Sequence, residues 1–291
     1  MILVCAASGR IGRRVLKHLI TSENSDQVVA GARVNPQGVD ANFRIVNYDD
    51  VNGMVKAFEG VERVVFIPSF ADTDRRAMQG RNVVAAAERA GVSQILFIGI
   101  MDTRLDSPLP FARAYGEMES ALLNSPVPAV ILRTSMYTDN LAEQYPVWLK
   151  TGQLVTCAGS GRVSYVSRDD IAASIVGVLR DPVDHHRNRI YKLTGPEALS
   201  YADVAGLINE LHGSDIKLVN VNCSEFADRL KDIWGVAYEG IEHVARVTPL
   251  FQTVFRQGMM SDVTSDVLNL SGRSPESAQS WLGRHQLNQP M

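Results

Sequence analysis

The sequence predicts an α/β protein built on a doubly wound parallel sheet with a smaller, mostly helical C-terminal lobe. Three observations predict the sheet. Short β-branched runs alternate with amphipathic helical segments through the first half of the chain. The runs are continuously apolar, as strands covered on both faces must be. The first of them passes through Cys5-Ala-Ala-Ser-Gly-Arg-Ile-Gly12 into a helix, the outline of a strand, a tight turn and a helix start.

In chain order, Ile2–Ala6 is expected as the first strand and Ile11–Ile20 as the first helix. Gln27–Arg33 and Phe43–Val46 are expected as strands, followed by a helix over Val51–Phe58. Arg63–Ile67 reads as a strand closed by Pro68-Ser69. A long helix over Asp74–Ala90 should stop at Gly91. Gln94–Ile100 and Ala129–Arg133 read as strands around a helix over Phe111–Leu123. Beyond Tyr137 the rhythm loosens. Gln153–Cys157, Ile190–Leu193 and Ile216–Val219 are expected as strands, and Asp169–Leu179 and Tyr201–Leu211 as helices. Ser167 and Asp170 have capping-box spacing, and Gly213 should end the later helix. From Ser224 onward the pattern is mostly helical. A dividing point near residue 150 follows, with residues 151–291 as a smaller lobe partly interleaved with the core. Such a lobe over the carboxyl ends of the strands would form a substrate cleft.

Composition narrows the function classes. The 291 residues carry 29 basic and 32 acidic side chains, a net charge of -3. There is no basic stripe with interleaved aromatics, so no nucleic-acid partner is expected. No apolar run is long enough for a membrane span or signal segment. The three cysteines are scattered and form no metal or disulfide framework, which fits a cytoplasmic protein. His185 and His186 are adjacent and are not expected to share one helix face, so no metal pair is assigned.

The first turn carries the chemistry. Small residues let the backbone approach a pyrophosphate, and the new helix offers N–H groups and a positive dipole end. Gly9 and Gly12 occupy the close-approach positions. Ala6 occupies the first glycine position, which suits alanine if its φ is negative and strains it if positive. Ser8 offers a hydroxyl, and Arg10 and Ile11 complete the turn. Arg33 closes the second strand where an acidic residue would bind the ribose hydroxyls of NAD. No acidic residue lies between Gln27 and Gln37. A guanidinium there suits the 2′-phosphate of NADP, so NADPH is favoured over NADH. Pro68, Ser69 and Met101 follow strands at the same edge and are further cofactor candidates.

Together these residues resemble the NmrA-like, atypical short-chain dehydrogenase/reductase family. The resemblance rests on Cys5–Gly12, Arg33-Val-Asn35, Asn47-Tyr-Asp49, Val65-Phe-Ile-Pro-Ser69 and Arg81-Asn-Val-Val84. It continues through Arg133-Thr-Ser-Met-Tyr-Thr-Asp139, Ala158-Gly-Ser-Gly-Arg162, Arg168-Asp-Asp-Ile-Ala172 and Tyr191–Ser200, and thins after about residue 210. It implies a Rossmann core with phosphates at Ser8–Ile11, a 2′-phosphate at Arg33 and a nicotinamide ribose beside Pro68-Ser69. The segment from Arg133 to Tyr137 would wall the nicotinamide and substrate pocket. This chain departs from the family pattern at Ala6, Asn47 and Thr134.

Short-chain dehydrogenases use Tyr-x-x-x-Lys, in which the lysine lowers the phenol pKa for proton transfer. Here the stretch reads Tyr115-Gly-Glu-Met-Glu119. A carboxylate beside a phenol would raise its pKa, so alcohol–ketone and epimerase chemistry are disfavoured. Reduction of a conjugated acceptor such as a quinone or dye asks for less, because hydride transfer needs neither metal nor flavin. The expected activity is therefore NADPH-dependent reduction of a small conjugated molecule. Tyr115 is the candidate proton donor, and Tyr137, Met136, Met101, Phe111 and Trp148 are candidates for an apolar wall. Two alternatives stand beside it: a non-catalytic NADP(H) sensor that engages a regulatory protein, and a sugar-nucleotide epimerase.

Overall fold

The computed structural model describes residues 1–22, 27–105, 107, 109–234 and 241–285. The chain begins β1 (Ile2–Cys5), α1 (Arg10–Ser22), β2 (Val28–Ala32), β3 (Asn42–Ile45), α2 (Val51–Ala57) and β4 (Arg63–Phe66). It continues α3 (Thr73–Ala90), β5 (Gln94–Ile100), α4 (Pro110–Leu123), β6 (Ala129–Thr134), α5 (Thr138–Thr151), β7 (Gln153–Thr156) and β8 (Arg162–Val163). Then come α6 (Arg168–Arg180), β9 (Arg189–Leu193), β10 (Leu199–Ser200), α7 (Tyr201–His212) and β11 (Lys217–Asn220). The chain closes with α8 (Cys223–Trp234), α9 (Ile241–Arg256), α10 (Asp266–Ser271) and α11 (Ala278–His285).

The chain divides into two units. The first comprises Met1–Thr134, Arg168–Leu193 and Ser265–Ser274. Its sheet has the order β3-β2-β1-β4-β5-β6-β9, and every pair is parallel. β2 and β4 flank β1, so the winding direction reverses between β1 and β4 and opens a crevice at their carboxyl ends. β1, β2, β4, β5 and β6 are almost wholly buried, which explains their unbroken apolar runs. The core under one face gathers Leu3, Val29, Phe58, Phe66, Phe97 and Met118. α3 starts at Asp72, whose carboxylate accepts from the Arg75 N–H, and ends at Gly91 in the left-handed conformation. α6 and α10 meet at Gly177, where a Cβ would lie 1.8 Å from the Leu270 carbonyl oxygen.

The second unit comprises Ser135–Ser167, Thr194–Thr264 and Pro275–Met291. It is mostly helical, with two small sheets: β8 with β10, and β7 with β11. α7 opens with a full capping box, Ser200 and Asp203 each accepting from the other's backbone N–H. α5 is a helix that the sequence pattern does not reveal. It contains Pro146 and starts at Tyr137 without a side-chain cap, so neither the periodicity nor the start signal is present. The helical reading of the C-terminus holds for α8, α9, α10 and α11; its stretches 235–240 and 286–291 lie outside the described residues. No helix among the described residues is long and apolar enough to cross a membrane.

Candidate functional site

The dinucleotide candidates all fall in the first unit, at the carboxyl ends of its strands. The turn after β1 is closed by a hydrogen bond from the Gly9 N–H to the Ala6 carbonyl, 2.8 Å. The Ala7 N–H donates to the Gly31 carbonyl of β2 at 3.1 Å, which anchors the turn to the sheet. Ser8, Gly9 and Arg10 are exposed, whereas Ile11 and Gly12 are buried. α1 starts at Arg10, so the exposed turn leads straight onto the positive end of a helix. Arg13 braces the turn: its Nε donates to the Ser8 carbonyl at 3.1 Å and its Nη1 to the Gln37 carbonyl at 2.9 Å.

Ala6 has φ +50°. The negative φ that would suit alanine is not adopted, and the cause lies six residues on. A Cβ on Gly12 would lie 2.4 Å from the Ala6 carbonyl oxygen and 3.0 Å from the Ala7 Cα. α1 therefore sits directly against this carbonyl, and Ala6 turns left-handed to let the chain pass. An alanine in this region costs about 1–2 kcal/mol, and a glycine would lose about 0.4–1 kcal/mol of that gain to the greater freedom of the unfolded chain. Ala6→Gly should accordingly stabilise the protein by roughly 0.5–1 kcal/mol, seen as a rise of about 2 °C in the thermal midpoint. An unchanged or lower midpoint would show that the turn tolerates alanine without strain. Asp102, just past β5, also has a positive φ, +58°, and its carboxylate meets the Arg104 Nε at 3.1 Å. Two strained residues thus stand at the carboxyl ends of β1 and β5.

Arg33 lies immediately after β2 and is exposed. It is close enough to Asp49 to help hold that carboxyl below its ordinary range. The larger causes are hydrogen bonds from Arg75 and then Gln79. Arg75 grips Asp49 with two bonds, 3.2 and 2.6 Å, and the Gln79 Nε2 adds a third at 2.9 Å. Gln79 continues the chain to Ser69, whose hydroxyl donates to Oε1 at 2.5 Å and accepts from the Ala71 N–H. This network pins the loop after β4, which carries Pro68 and Ser69. The loop's next residue, Phe70, is fully exposed. Met101 is buried, and its N–H donates to the Thr134 carbonyl at 2.9 Å, extending the β5–β6 ladder.

Tyr115 is half-buried on α4. Its ring lies 5.9 Å from that of Phe97, and the Arg76 guanidinium lies 5.7 Å from its centroid. Arg76 is a residue that sequence reasoning missed. Its signal was the Asp72 cap, which fixes the start of α3 and hence the face from which each residue of its first turn projects. Glu119, expected as a carboxylate near the Tyr115 phenol, is committed to an ion pair of its own. Glu119 is buried and accepts three hydrogen bonds from Arg133, at 3.1, 3.2 and 2.6 Å. Burial pushes its carboxyl above the ordinary 4.5, while Arg133 and Thr103 pull the other way. The place of the usual lysine is thus taken by an internal ion pair, and Arg133 is committed to it.

Tyr137 lies in the second unit, where it precedes α5 and bridges to Val166. The same unit holds a cavity of about 230 Å³ whose lining includes Met136, Trp148, Tyr201, Phe226, Phe251 and Gln252. Gln252 is buried with both ends engaged: Oε1 accepts from Thr156 and Cys157, and Nε2 donates to the Tyr201 hydroxyl. Of the five side chains expected as an apolar wall, Met136 and Trp148 line this cavity. Met101 and Phe111 belong to the first unit.

The expectation that adjacency keeps His185 and His186 apart is also corrected. His185 and His186 end a single 3₁₀ turn, Val183–His186, and their rings stack with centroids 4.9 Å apart.

Comparison with known proteins finds the following likenesses. A family profile described as NAD(P)H-binding matches residues 6–182. Quinone oxidoreductase 2 of Escherichia coli (strain K12) is 29% identical over 239 residues, covering 80% of this chain and 82% of that protein. The structure of NADPH-dependent quinone oxidoreductase from Escherichia coli complexed with NADPH matches with a TM-score of 0.90 at 26% identity. It covers 99% of this chain and 100% of that one. Citrobacter sp. triphenylmethane reductase complexed with NADP(H) matches with a TM-score of 0.88 at 26% identity, covering 98% and 99%.

Proposed function

The chain belongs to the NAD(P)H-binding family, and from that membership we propose that it is an NADPH-dependent reductase of quinone-like, conjugated small molecules. The observation that carries the cofactor preference is Arg33, an exposed guanidinium at the end of β2 in a segment without acidic residues. The bidentate fork of arginine matches a phosphate, and Asp49 nearby is already engaged by Arg75.

The chain fits the dinucleotide on a structural ground. The turn after β1 packs so closely on the start of α1 that a side chain at Gly12 would strike its backbone, and its exposed residues Ser8, Gly9 and Arg10 stand at the positive end of that helix. Ser8, Gly9, Arg10 and Ile11 would take the pyrophosphate and Arg33 the 2′-phosphate. Pro68 and Ser69, held by Gln79, would border the ribose, with Met101 beside the nicotinamide. When bound, the dinucleotide supplies a hydride. The protein's part is to hold the acceptor, exclude water and deliver a proton.

A quinone anion is stabilised by its own conjugation, so a modest acid suffices. The Tyr115 hydroxyl is assigned this proton, with the Arg76 cation beside its ring. Resemblance to quinone- and dye-reducing proteins favours this reading over the sensor and the epimerase.

The test is steady-state oxidation of NADPH and NADH with a benzoquinone acceptor. NADPH should be used with the lower KM. Arg33→Glu should raise the KM for NADPH by about 10–100-fold, the worth of one charge-assisted contact, and leave that for NADH within about threefold. Equal use of both nucleotides, or an indifferent Arg33→Glu variant, overturns the NADPH assignment. Absence of turnover with quinones, while NADPH still binds, overturns the acceptor class.

A further inference from the structure

We propose that Asp181, His185 and His186 form a binding site for a divalent transition metal, with Zn²⁺ the best match. The three ligand atoms converge within 4.8 Å of one another. Both imidazoles address the same carboxylate oxygen: the His186 Nε2 lies 2.9 Å from Asp181 Oδ2, and the His185 Nδ1 lies 3.4 Å from it. Bonds of about 2.0–2.1 Å to one ion give ligand–ligand edges of roughly 3.3 Å in a tetrahedron and roughly 2.9 Å in an octahedron. The two nitrogen–oxygen separations are of this size, so each imidazole nitrogen lies within reach of an ion shared with the Asp181 oxygen. Two imidazoles and one carboxylate, with water completing the shell, are a donor set that suits zinc and its neighbours rather than calcium or magnesium.

Surrounding groups already orient the ligands. His186 is buried, and its other ring nitrogen, Nδ1, lies 2.8 Å from the Tyr191 hydroxyl. With Nε2 on the metal, the His186 proton resides on Nδ1 and is donated to that oxygen, the second-shell bond that metal-binding histidines usually make. Stacking on His186 holds the exposed His185 ring in place. The 3₁₀ turn is itself anchored, since the Gln94 Nε2 donates to the Val183 carbonyl at 3.0 Å.

Topology assigns the site a role apart from hydride transfer. The turn precedes β9, and Gln94 opens β5, so the cluster belongs to the amino edge of a wholly parallel sheet. The dinucleotide turn belongs to the carboxyl edge. An ion at this cluster would clasp the connection between α6 and β9, an edge strand, and act as a structural staple.

The experiment uses untagged full-length protein titrated with Zn²⁺ by calorimetry. One ion per chain should bind saturably, and a hundredfold excess over Kd should raise the thermal midpoint by roughly 4 °C. Asp181→Asn and His185→Ala should each weaken binding at least tenfold, and Tyr191→Phe by about tenfold. His185 is largely exposed, so its alanine variant keeps the fold and isolates the ligand's contribution. Co²⁺ should give intense visible bands of a tetrahedral site in the wild type, and these should be lost in His185→Ala. No saturable Zn²⁺ binding, or variants that bind as the wild type does, overturns the proposal.

Discussion

Gly12→Ala is expected to abolish nucleotide binding, weakening NADPH affinity by more than about 100-fold while also lowering stability by roughly 1–3 kcal/mol. The added Cβ would lie 2.4 Å from the Ala6 carbonyl oxygen and 3.0 Å from both the Ala6 carbonyl carbon and the Ala7 Cα. All three obstacles are backbone, so no rotamer change relieves them. The start of α1 must move away from the turn, and its N–H groups then leave the position from which they would address a pyrophosphate. The same carbonyl belongs to Ala6, already left-handed at φ +50°, so the turn has little freedom to yield. Urea unfolding and NADPH titration of the one variant check both effects. A Gly12→Ala protein that binds NADPH within about threefold of the wild type would show that the turn is not the phosphate site.

Arg133→Met should destabilise the fold by about 3–5 kcal/mol near neutral pH, because it leaves the buried Glu119 carboxylate without its partner. The deficit should depend on pH in a defined direction. Burial raises the folded pKa of Glu119 above 4.5, and Arg133 opposes that rise. A carboxyl with a raised folded pKa favours the folded state below its unfolded value, and that contribution is lost as pH climbs through the folded value. Removing Arg133 moves the folded value higher still, so the neutral acid persists further up the scale. The stability deficit should therefore be smaller at about pH 5 than at about pH 8. Denaturant melts at both values decide the matter, and a pH-independent deficit would mean that the loss is one of packing. Arg133→Met combined with Glu119→Met should recover much of the stability, because no lone charge then remains buried.

The alternation of buried strands and amphipathic helices was legible in the sequence because each strand of the first unit carries its burial as an unbroken apolar run. The turn after β1 was legible for a similar reason: its small residues and the helix start lie within a few positions of one another. α5 was not legible, since Pro146 interrupts it and no capping side chain announces it. The capping box over Ser200 and Asp203 passed unnoticed, although its spacing was present in the sequence.

What the sequence determined by itself is therefore the doubly wound core, the turn after β1 and the cation at Arg33, all encoded by residues close along the chain. The tertiary structure alone decided the sign of φ at Ala6, because the approach of Gly12 to the Ala6 carbonyl is a contact in space. It also decided that Glu119 answers to Arg133, that Asp49 is shared among Arg75 and Gln79, and that Arg76 faces Tyr115. These pairs join separate elements, brought together when strands align and helices cover them. The Asp181, His185 and His186 cluster is local in sequence, yet its convergence depends on the 3₁₀ turn that Gln94 helps anchor from β5. Side-chain periodicity specifies which face of an element is buried; only the packed sheet specifies which charge meets which.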